Sequence, residues 1–273
     1  MKGQKFSFIG GGNMAEAMLR GLLKNKIIAP RQLLVSEPRE ERARFLSRQY
    51  RIHVTSDNKA AAQFGEIIIL AVKPQVIKEV LQEIAGGVTS KHLVISIAAG
   101  ITIAFIASHL GKDKRIVRAM PNTPCQIGEG AIAFCGGGKA NPRDMRVTRE
   151  IFAGVGTTVI VPETHMDAVT GLSGSGPAYI FLIIEALTDG GVKMGLPRDV
   201  AQALVLQTII GSGRMVLETG DHPSTLKDLV TSPGGTTIAG LQVLEEKGIR
   251  GALINAVVAA SERSRELSRT RNL

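Results

Sequence analysis

The sequence predicts an α/β fold, with a doubly wound parallel sheet at residues 1–162 and an all-α domain at residues 163–273. In the first part, short apolar runs alternate with segments of helical spacing, a pattern typical of a parallel sheet that helices cover on both faces. After Pro162 the strand-like runs stop, and only segments of helical spacing follow. A chain of 273 residues is also long enough for two domains.

Seven apolar runs in the first domain are predicted as strands because each is short and is followed by turn residues or a helical segment. In chain order they are K-F-S-F-I-G, L-L-V-S, E-I-I-I-L-A-V, L-V-I-S-I-A-A, R-I-V-R-A-M, A-I-A-F-C and T-V-I-V. Helices are predicted at 15–25, 39–50, 75–85 and 144–153, and Thr102 is placed to cap another. Residues 93–111 match a membrane span in length, but a buried strand followed by that capped helix is the better interpretation.

Five helices are predicted in the second domain, at 178–192, 198–218, 224–229, 238–246 and 249–268. The first carries charge only at Glu185 and Asp189, and the stretch A-Q-A-L-V-L-Q-T-I-I-G-S-G in the second carries none. Helices that are apolar on nearly every face must be surrounded. A domain of this size can hardly surround both, so a large interface between subunits is predicted; the alternative is a five-helix domain that buries them alone.

Composition excludes several classes of site. The two cysteines imply no disulfide framework, and the five scattered histidines predict no metal site. The N-terminus lacks the apolar core of a signal peptide, so a cytoplasmic protein outside the membrane is predicted. Residues 1–162 hold 23 Lys and Arg against 12 Asp and Glu, which raises a nucleic-acid hypothesis. Because no basic run is interleaved with aromatic residues, attraction of a phosphate-bearing cofactor is the preferred interpretation.

The glycine-rich run F-I-G-G-G-N-M-A follows the first strand and opens the first helix. Gly10-x-Gly12-x-x-Ala15 fits the fingerprint of a Rossmann-type dinucleotide-binding domain. Gly10 allows the tight turn, Gly12 lets backbone N–H groups approach a pyrophosphate, and Ala15 lets the helix pack closely on the strand. The helix N-terminus then favours the anion. The alternative is a tight turn between strand and helix that binds no ligand.

The end of the second strand leaves the choice between NADH and NADPH open. Glu37 lies 22 residues after Ala15, where an acid accepts hydrogen bonds from the adenosine ribose of NAD(H). Arg39 could instead face a 2′-phosphate, with Arg42 and Arg44 nearby. The alternative for this group is an exposed network of ion pairs at a helix start.

Other loops leave predicted strands at the same edge of the sheet, where folds of this kind bind ligands. L-A-V-K-P ends in Lys73, which can reach a cofactor phosphate or ribose or can be a solvated strand-end lysine. I-A-A-G ends the strand after it. In A-M-P-N-T-P, Asn122 offers a donor and an acceptor suited to a nicotinamide carboxamide.

Two glycine-rich stretches in the second domain are predicted to precede helices and to bind anions at helix N-termini. V-T-G-L-S-G-S-G-P-A-Y is interpreted as a loop that ends at a helix with Pro177 in its first turn and Ser175 or Gly176 as cap. T-S-P-G-G-T-T-I is interpreted as a turn before a helix that begins at about Ile238. Either stretch alone is more often only a helix cap.

These two stretches together resemble the signature of the pyrroline-5-carboxylate reductase family. F-I-G-G-G-N-M, L-A-V-K-P-Q, S-I-A-A-G, R-A-M-P-N-T-P and the closing I-N-A-V-V-A-A-S-E-R-S-R-E-L fit the same family in order, so the resemblance covers essentially the whole chain. It implies an N-terminal Rossmann domain, a helical dimerisation domain with interleaved helices, and dimers that often assemble into a ring. It also implies reduction of 1-pyrroline-5-carboxylate to L-proline by NAD(P)H, and it favours NADPH.

The resemblance also implies roles for individual residues. Around the cofactor they are Gly11, Asn13 and Met14, which join Gly10 and Gly12 at the pyrophosphate turn, Glu37, Arg39 and Asn58 at the adenosine ribose, and Ala71, Val72, Lys73 and Ala99, which join Asn122 along the groove. Around the substrate they are Glu163, Ser175, Gly235, Thr236 and Thr237. Thr237 is the catalytic candidate, since it could hydrogen-bond the ring nitrogen as well as the carboxylate. Leu229 departs from relatives with a polar residue there, which puts one contact with the cofactor in doubt.

Two rival functions follow from the same plan. β-Hydroxyacid dehydrogenases carry a lysine four residues after the second glycine of a G-x-G pair, where this chain has Ile180, so alcohol oxidation would lack its base. A non-catalytic module that senses NAD(P) or binds nucleic acid would not need the two glycine-rich stretches of the second domain.

Overall fold

A computed structural model describes residues 3–271, and it divides the chain into two compact units. The first contains the chain up to Ser175 together with the segment from Val258 onward, and the second is Gly176–Val257. In the first unit the C-terminal segment is tied down by Ser264, whose hydroxyl donates to Asp167 Oδ1 at 2.7 Å. The predicted domain division between residues 162 and 163 stays a prediction.

The first unit contains one eight-stranded sheet, with its strands in the order β3-β2-β1-β4-β5-β6-β7-β8. The strands are β1 (Phe6–Ile9), β2 (Leu33–Ser36), β3 (His53–Thr55), β4 (Ile67–Leu70), β5 (Leu93–Ser96), β6 (Arg115–Met120), β7 (Gly130–Gly138) and β8 (Gly156–Ile160). Seven of these are the predicted strands. The sequence missed β3, because three partly exposed residues at a sheet edge are too short to show an apolar alternation.

Every strand pair is parallel except β6 with β7, so the parallel prediction is confirmed apart from that one antiparallel pair. The strand order runs outward in both directions from the neighbours β1 and β4. Loops that leave the carboxyl ends of these two strands therefore diverge and open a crevice, which is where sheets of this type bind ligands.

The core lies on both faces of the sheet, as the near-continuous apolar strands predict. In β4, Ile67 and Ile69 pack into one apolar cluster while Ile68 and Leu70 pack into the other. This follows from the two-residue period of a strand. A sheet buried on both faces is rigid, and it fixes the positions of the loops at its edge.

The helices are α1 (Asn13–Lys24), α2 (Glu40–Tyr50), α3 (Asn58–Phe64), α4 (Ile77–Ile84), α5 (Ile103–Leu110), α6 (Pro142–Ala153), α7 (Met166–Val169), α8 (Gly176–Lys193), α9 (Arg198–Thr219), α10 (Pro223–Leu229), α11 (Thr236–Glu246) and α12 (Ile249–Arg271). Residues 93–111 form β5 and α5, with the Thr102 hydroxyl accepting from Phe105 N at 3.1 Å as its predicted cap. The five C-terminal helices all occur, each beginning and ending within three residues of its prediction.

One predicted loop is wrong. The stretch from Thr170 to Gly174 is a turn of π-helix, and Ser175 N donates to Thr170 O at 2.8 Å. Helical backbone therefore runs on into α8 without an exposed N-terminus at Pro177. The glycines of this stretch suggested a loop, but the stretch forms a single π turn, the form in which π-helix mostly occurs.

The second unit leaves much of its apolar surface uncovered. Phe181 and Leu182 on α8 and Leu204 and Leu217 on α9 are all more than half exposed. Exposed apolar surface on this scale marks an interaction face. By length and composition alone, Glu163–Lys193 and Arg198–Thr219 could also cross a membrane, which is weak evidence because helices that pack against a partner subunit share these properties.

Candidate functional site

The glycine turn after β1 lies at the crevice between β1 and β4. Gly10 has φ +100°, and a Cβ there would lie 2.8 Å from the carbonyl oxygen of Ala71, the residue that follows β4. Its own N–H donates to Ser36 O at 2.8 Å. Only glycine suits this position, because a side chain would be strained by the positive φ and would meet the backbone of Ala71.

Gly11 is fixed on both sides by side chains. Its N–H donates to Glu37 Oε2 at 3.1 Å, and its carbonyl accepts from Arg42 Nε at 2.7 Å. Arg42 also pairs with Glu16 at 2.6 Å, and Glu16 accepts from the Tyr50 hydroxyl at 2.7 Å. The N–H of Gly11 is thus already used within the protein, so the donors for a pyrophosphate are the amides that follow it.

Those following amides belong to the N-terminus of α1. Gly12 is the N-cap, its side-chain position faces open space, and no side chain caps the helix. The amides of Asn13, Met14 and Ala15 therefore have no intrahelical acceptor. Such a terminus holds the partial positive charge of the helix dipole and suits an anion. Gly10, Gly12, Asn13 and Met14 lie together here.

Glu37 is almost fully buried at 4% exposure, and it forms an ion pair with Arg39. Its Oε1 accepts from Arg39 Nε at 2.8 Å and from Arg39 N at 3.0 Å. Its Oε2 accepts from Gly11 N at 3.1 Å and from Arg39 Nη2 at 3.2 Å. Burial alone would raise the pKa of the Glu37 carboxyl, but these hydrogen bonds outweigh burial and lower it. Glu37 is therefore a carboxylate at neutral pH.

Four other predicted groove residues also lie at this edge of the sheet. Ala71 and Val72 are half-buried against the Gly10 turn, and Lys73 beside them is exposed. Ala99 is half-buried in the loop after β5.

The two predicted asparagines make hydrogen bonds within the first unit. Asn58 accepts from the Ser36 hydroxyl at 2.6 Å and donates to Glu83 at 2.8 Å. Asn122 accepts from Ala131 N at 2.9 Å and donates to Ser173 O at 3.1 Å. These two bonds brace the loop after β6, and they use one of the two N–H donors and one of the two acceptor positions of the Asn122 amide.

Glu163 forms contacts that the sequence did not suggest. Its Oε1 accepts from Ile103 N at 2.8 Å, at the start of α5, and lies 3.3 Å from Nη1 of the buried Arg118 on β6.

Burial, and then the nearby Glu163 carboxylate, raise the pKa of the Cys135 thiol to about 11. That thiol stays protonated and is not a nucleophile. Arg118 was missed, although a charged residue in the interior of the apolar run R-I-V-R-A-M signals a buried ion pair.

We expect Glu163→Gln to lower the free energy of unfolding by about 1–2 kcal/mol, because Arg118 would keep its buried charge without a counter-charge. Calorimetry should show this as a fall of a few degrees in Tm. Glu129→Gln, at an exposed position, is the matched control and should leave Tm unchanged. An unchanged Tm in Glu163→Gln would show that the ion pair contributes nothing to stability.

The second glycine-rich turn lies in the second unit, before α11. Gly234 has φ +65°, Gly235 is the N-cap, and the helix begins at Thr236 rather than at Ile238 as predicted. No side chain caps it, so the amides of Thr236, Thr237 and Ile238 have no intrahelical acceptor. Thr236 is exposed and Thr237 is half-buried. Among the helices whose N-cap is described, only α1 and α11 have a glycine there.

Among the helices whose N-cap is described, each unit thus carries one that has a glycine N-cap and no capping side chain, and such an N-terminus suits an anion. Ser175 and Glu163 lie in the first unit, and Gly235, Thr236 and Thr237 lie in the second. Among the described residues, no group of three or more His, Cys, Asp or Glu side chains could hold a metal ion.

Comparisons with known proteins decide the family. Residues 163–267 match the family model for pyrroline-5-carboxylate reductase dimerisation, and residues 5–100 match that for NADP oxidoreductase coenzyme F420-dependent. The pyrroline-5-carboxylate reductase of Synechocystis is 49% identical over 97% of this chain and 98% of its own length. The chain belongs to the pyrroline-5-carboxylate reductase family. The fold and the cofactor class that the sequence predicted, NAD(P)H, are therefore confirmed.

Further members of the pyrroline-5-carboxylate reductase family agree along the whole chain. The one from Methanosarcina acetivorans is 47% identical over 98% of this chain and all of its own length. The solved structure of the one from Coxiella burnetii has a TM-score of 0.90 at 39% identity, covering 97% of this chain and 98% of that one. The structure from Plasmodium falciparum, with NADP bound, has a TM-score of 0.89 at 37% identity and covers 98% and 99%. This family member is thus an NAD(P)H-dependent oxidoreductase.

Proposed function

We propose that this protein reduces 1-pyrroline-5-carboxylate to L-proline with NAD(P)H. The observation that carries the proposal is the bare N-terminus of α11, which offers free amides and two threonine hydroxyls within a chain of this family. The substrate is a cyclic imine with a carboxylate. Free amides at a helix N-terminus suit that carboxylate, because each donates a hydrogen bond and the helix dipole adds positive potential.

For the cofactor, the residues present fit a dinucleotide. The amides of Asn13 and Met14, at the start of α1, would hold its pyrophosphate, and the absence of a side chain on Gly12 leaves space for it. Ala71, Val72, Lys73 and Ala99 would line the groove toward the nicotinamide end. When bound, NAD(P)H supplies the hydride that the imine carbon receives. The protein contributes position and charge rather than a strong acid.

For the substrate, Thr236 and Thr237 would add hydroxyl donors to the backbone amides around Gly235. We propose that Thr237 also hydrogen-bonds the ring nitrogen, which makes it the catalytic candidate. A protonated imine accepts hydride more readily than a neutral one, and it brings its own proton from solution. Ser175 and Glu163 are proposed to help place the substrate, although the Glu163 oxygen that is already bonded to Ile103 N has less capacity for this role.

The test is oxidation of NADPH and of NADH, followed at 340 nm with pyrroline-5-carboxylate as substrate, together with detection of L-proline. We expect absorbance loss that depends on both reactants and L-proline in equal amount. If the cofactor binds but neither signal appears, the protein is a non-catalytic binding module instead.

Homo-oligomerisation accounts for the apolar surface of the second unit. The matched dimerisation model spans α8 and α9, where the apolar side chains are exposed. We propose that a second copy of the chain covers them through interleaved helices, that dimers assemble further into a ring, and that the protein is cytoplasmic. Light scattering on chromatographed protein without detergent should give at least twice the mass of one chain. A monomer, or protein soluble only in detergent, would contradict this.

A further inference from the structure

Glu37, which follows β2, is placed as an acid that would bind the ribose of NADH, but its hydrogen bonds indicate another role. We infer that Glu37 does not accept hydrogen bonds from the cofactor ribose but positions Arg39, and that Arg39 selects the 2′-phosphate of NADPH. The inference rests on the proposed dinucleotide site at the start of α1. It concerns only the first unit, in which Gly11, Glu37 and Arg39 all lie.

The first step is the acceptor capacity of Glu37. A carboxylate has about four acceptor positions, two on each oxygen. Oε1 accepts from the backbone N and from Nε of Arg39, and Oε2 accepts from Gly11 N and from Nη2 of Arg39. All four are therefore used within the protein. A ribose hydroxyl could bond to Glu37 only if one of these donors left, and the side chain is 4% exposed.

The second step is the donor capacity of Arg39. Its guanidinium gives two of five N–H donors to Glu37, so three remain. The side chain is 68% exposed, which leaves those donors open to a ligand. A guanidinium held through one edge presents its other donors in a fixed plane, the arrangement that suits phosphate oxygens.

The third step is the state of the neighbouring cations. Arg42 donates to Glu16 and to the Gly11 carbonyl, and its side chain is only 19% exposed, so it offers little surface to a ligand. Arg44 pairs with Glu40 at 2.7 Å. Because an ADP 2′-phosphate carries negative charge at the end of β2, Arg39, the first cation after that strand and an exposed one, is the group that can discriminate it from a hydroxyl. For Glu37 to accept a hydrogen bond from the ribose of NADH, Arg39 would have to move away. The buried Glu37 carboxylate would then lose its counter-charge, which is unfavourable.

The test uses cofactor fragments, so that binding is read without catalysis. The dissociation constants of 2′,5′-ADP and of 5′-ADP are measured by isothermal titration calorimetry on wild-type protein and three variants. We expect wild-type protein to bind 2′,5′-ADP about tenfold or more tightly than 5′-ADP, since a charge-assisted bond of about 1.4 kcal/mol corresponds to that ratio. Arg39→Met should remove the preference while 5′-ADP binding changes little.

The other two variants separate the roles. Glu37→Gln should weaken 2′,5′-ADP more than 5′-ADP, because Arg39 loses its anchor; a ribose acceptor would instead lose 5′-ADP affinity. Arg44→Met removes a cation from the same helix start and should leave the ratio as in wild type. Equal binding of both fragments by wild-type protein, or an unchanged ratio in Arg39→Met, overturns the inference alone. Binding of neither fragment overturns the proposed dinucleotide site as well.

Discussion

Replacing Gly12 with alanine is expected to leave the protein folded and to weaken NADPH binding by about 100-fold. Gly12 has an ordinary φ of −69°, and a Cβ there would meet nothing within 4 Å. The cost to the fold should therefore stay below about 1 kcal/mol, the difference between glycine and alanine at an N-cap. The added methyl would project where the pyrophosphate must approach. Fluorescence titration with NADPH and urea unfolding measure the two quantities on one sample.

Gly10→Ala is the contrasting variant, because it should damage both binding and fold. The methyl would meet the backbone of Ala71, and the positive φ would remain unfavourable for alanine. We therefore expect the free energy of unfolding to fall by about 3 kcal/mol or more. Gly128→Ala separates the two causes. Its φ of +86° is also left-handed, but no atom lies within 4 Å, so only about 1–2 kcal/mol should be lost. Tight NADPH binding by Gly12→Ala would show that the cofactor does not pass over this turn.

Thr237→Val is expected to lower kcat/KM for pyrroline-5-carboxylate by about 10- to 100-fold, because a hydrogen bond to a charged group contributes about 1.5–3 kcal/mol. Valine keeps the branched shape and removes only the hydroxyl. A rise in KM at constant kcat would place the hydroxyl on the carboxylate, in the ground state and the transition state alike. A fall in kcat would place it on the ring nitrogen, where the bond matters most during hydride transfer.

Two controls accompany Thr237→Val. Thr225→Val changes an exposed threonine of the same unit outside the turn and should leave steady-state kinetics unchanged. Thr236→Val tests whether both hydroxyls contribute. Wild-type kcat/KM in Thr237→Val would remove both the catalytic assignment and the substrate cradle at α11.

The sequence predicted correctly those parts of the structure that depend on residues close together in the chain. Short, near-continuous apolar runs located seven strands, and Thr102 was identified as a cap because its partner is three residues away. The fingerprint around Gly10 and Gly12 likewise depends on adjacent residues. The three strands and helices that were missed, β3, α3 and α7, are short, and none offers enough residues for a period to stand out.

The errors and surprises at the site arise from partners far along the chain. Glu163 bonds a backbone amide 60 residues away, Asn122 a carbonyl 51 residues away, and Gly11 a carboxylate 26 residues away. The segment predicted as a loop before Pro177 is helical, although glycine and serine are weak helix formers. These hydrogen-bond partners could not be predicted from local sequence patterns, because they depend on which distant segments the sheet brings together.

The sequence by itself determined the two-part α/β plan, the two glycine-rich helix starts and the family, because each is encoded in neighbouring residues and their spacing. Only the tertiary structure decided which polar groups at those places remain free to bind a ligand. Each carboxylate oxygen and each N–H has a small, fixed capacity for hydrogen bonds. Once Arg39 and Gly11 have filled that of Glu37, an acid that looks suited to a ribose becomes an anchor for the arginine beside it.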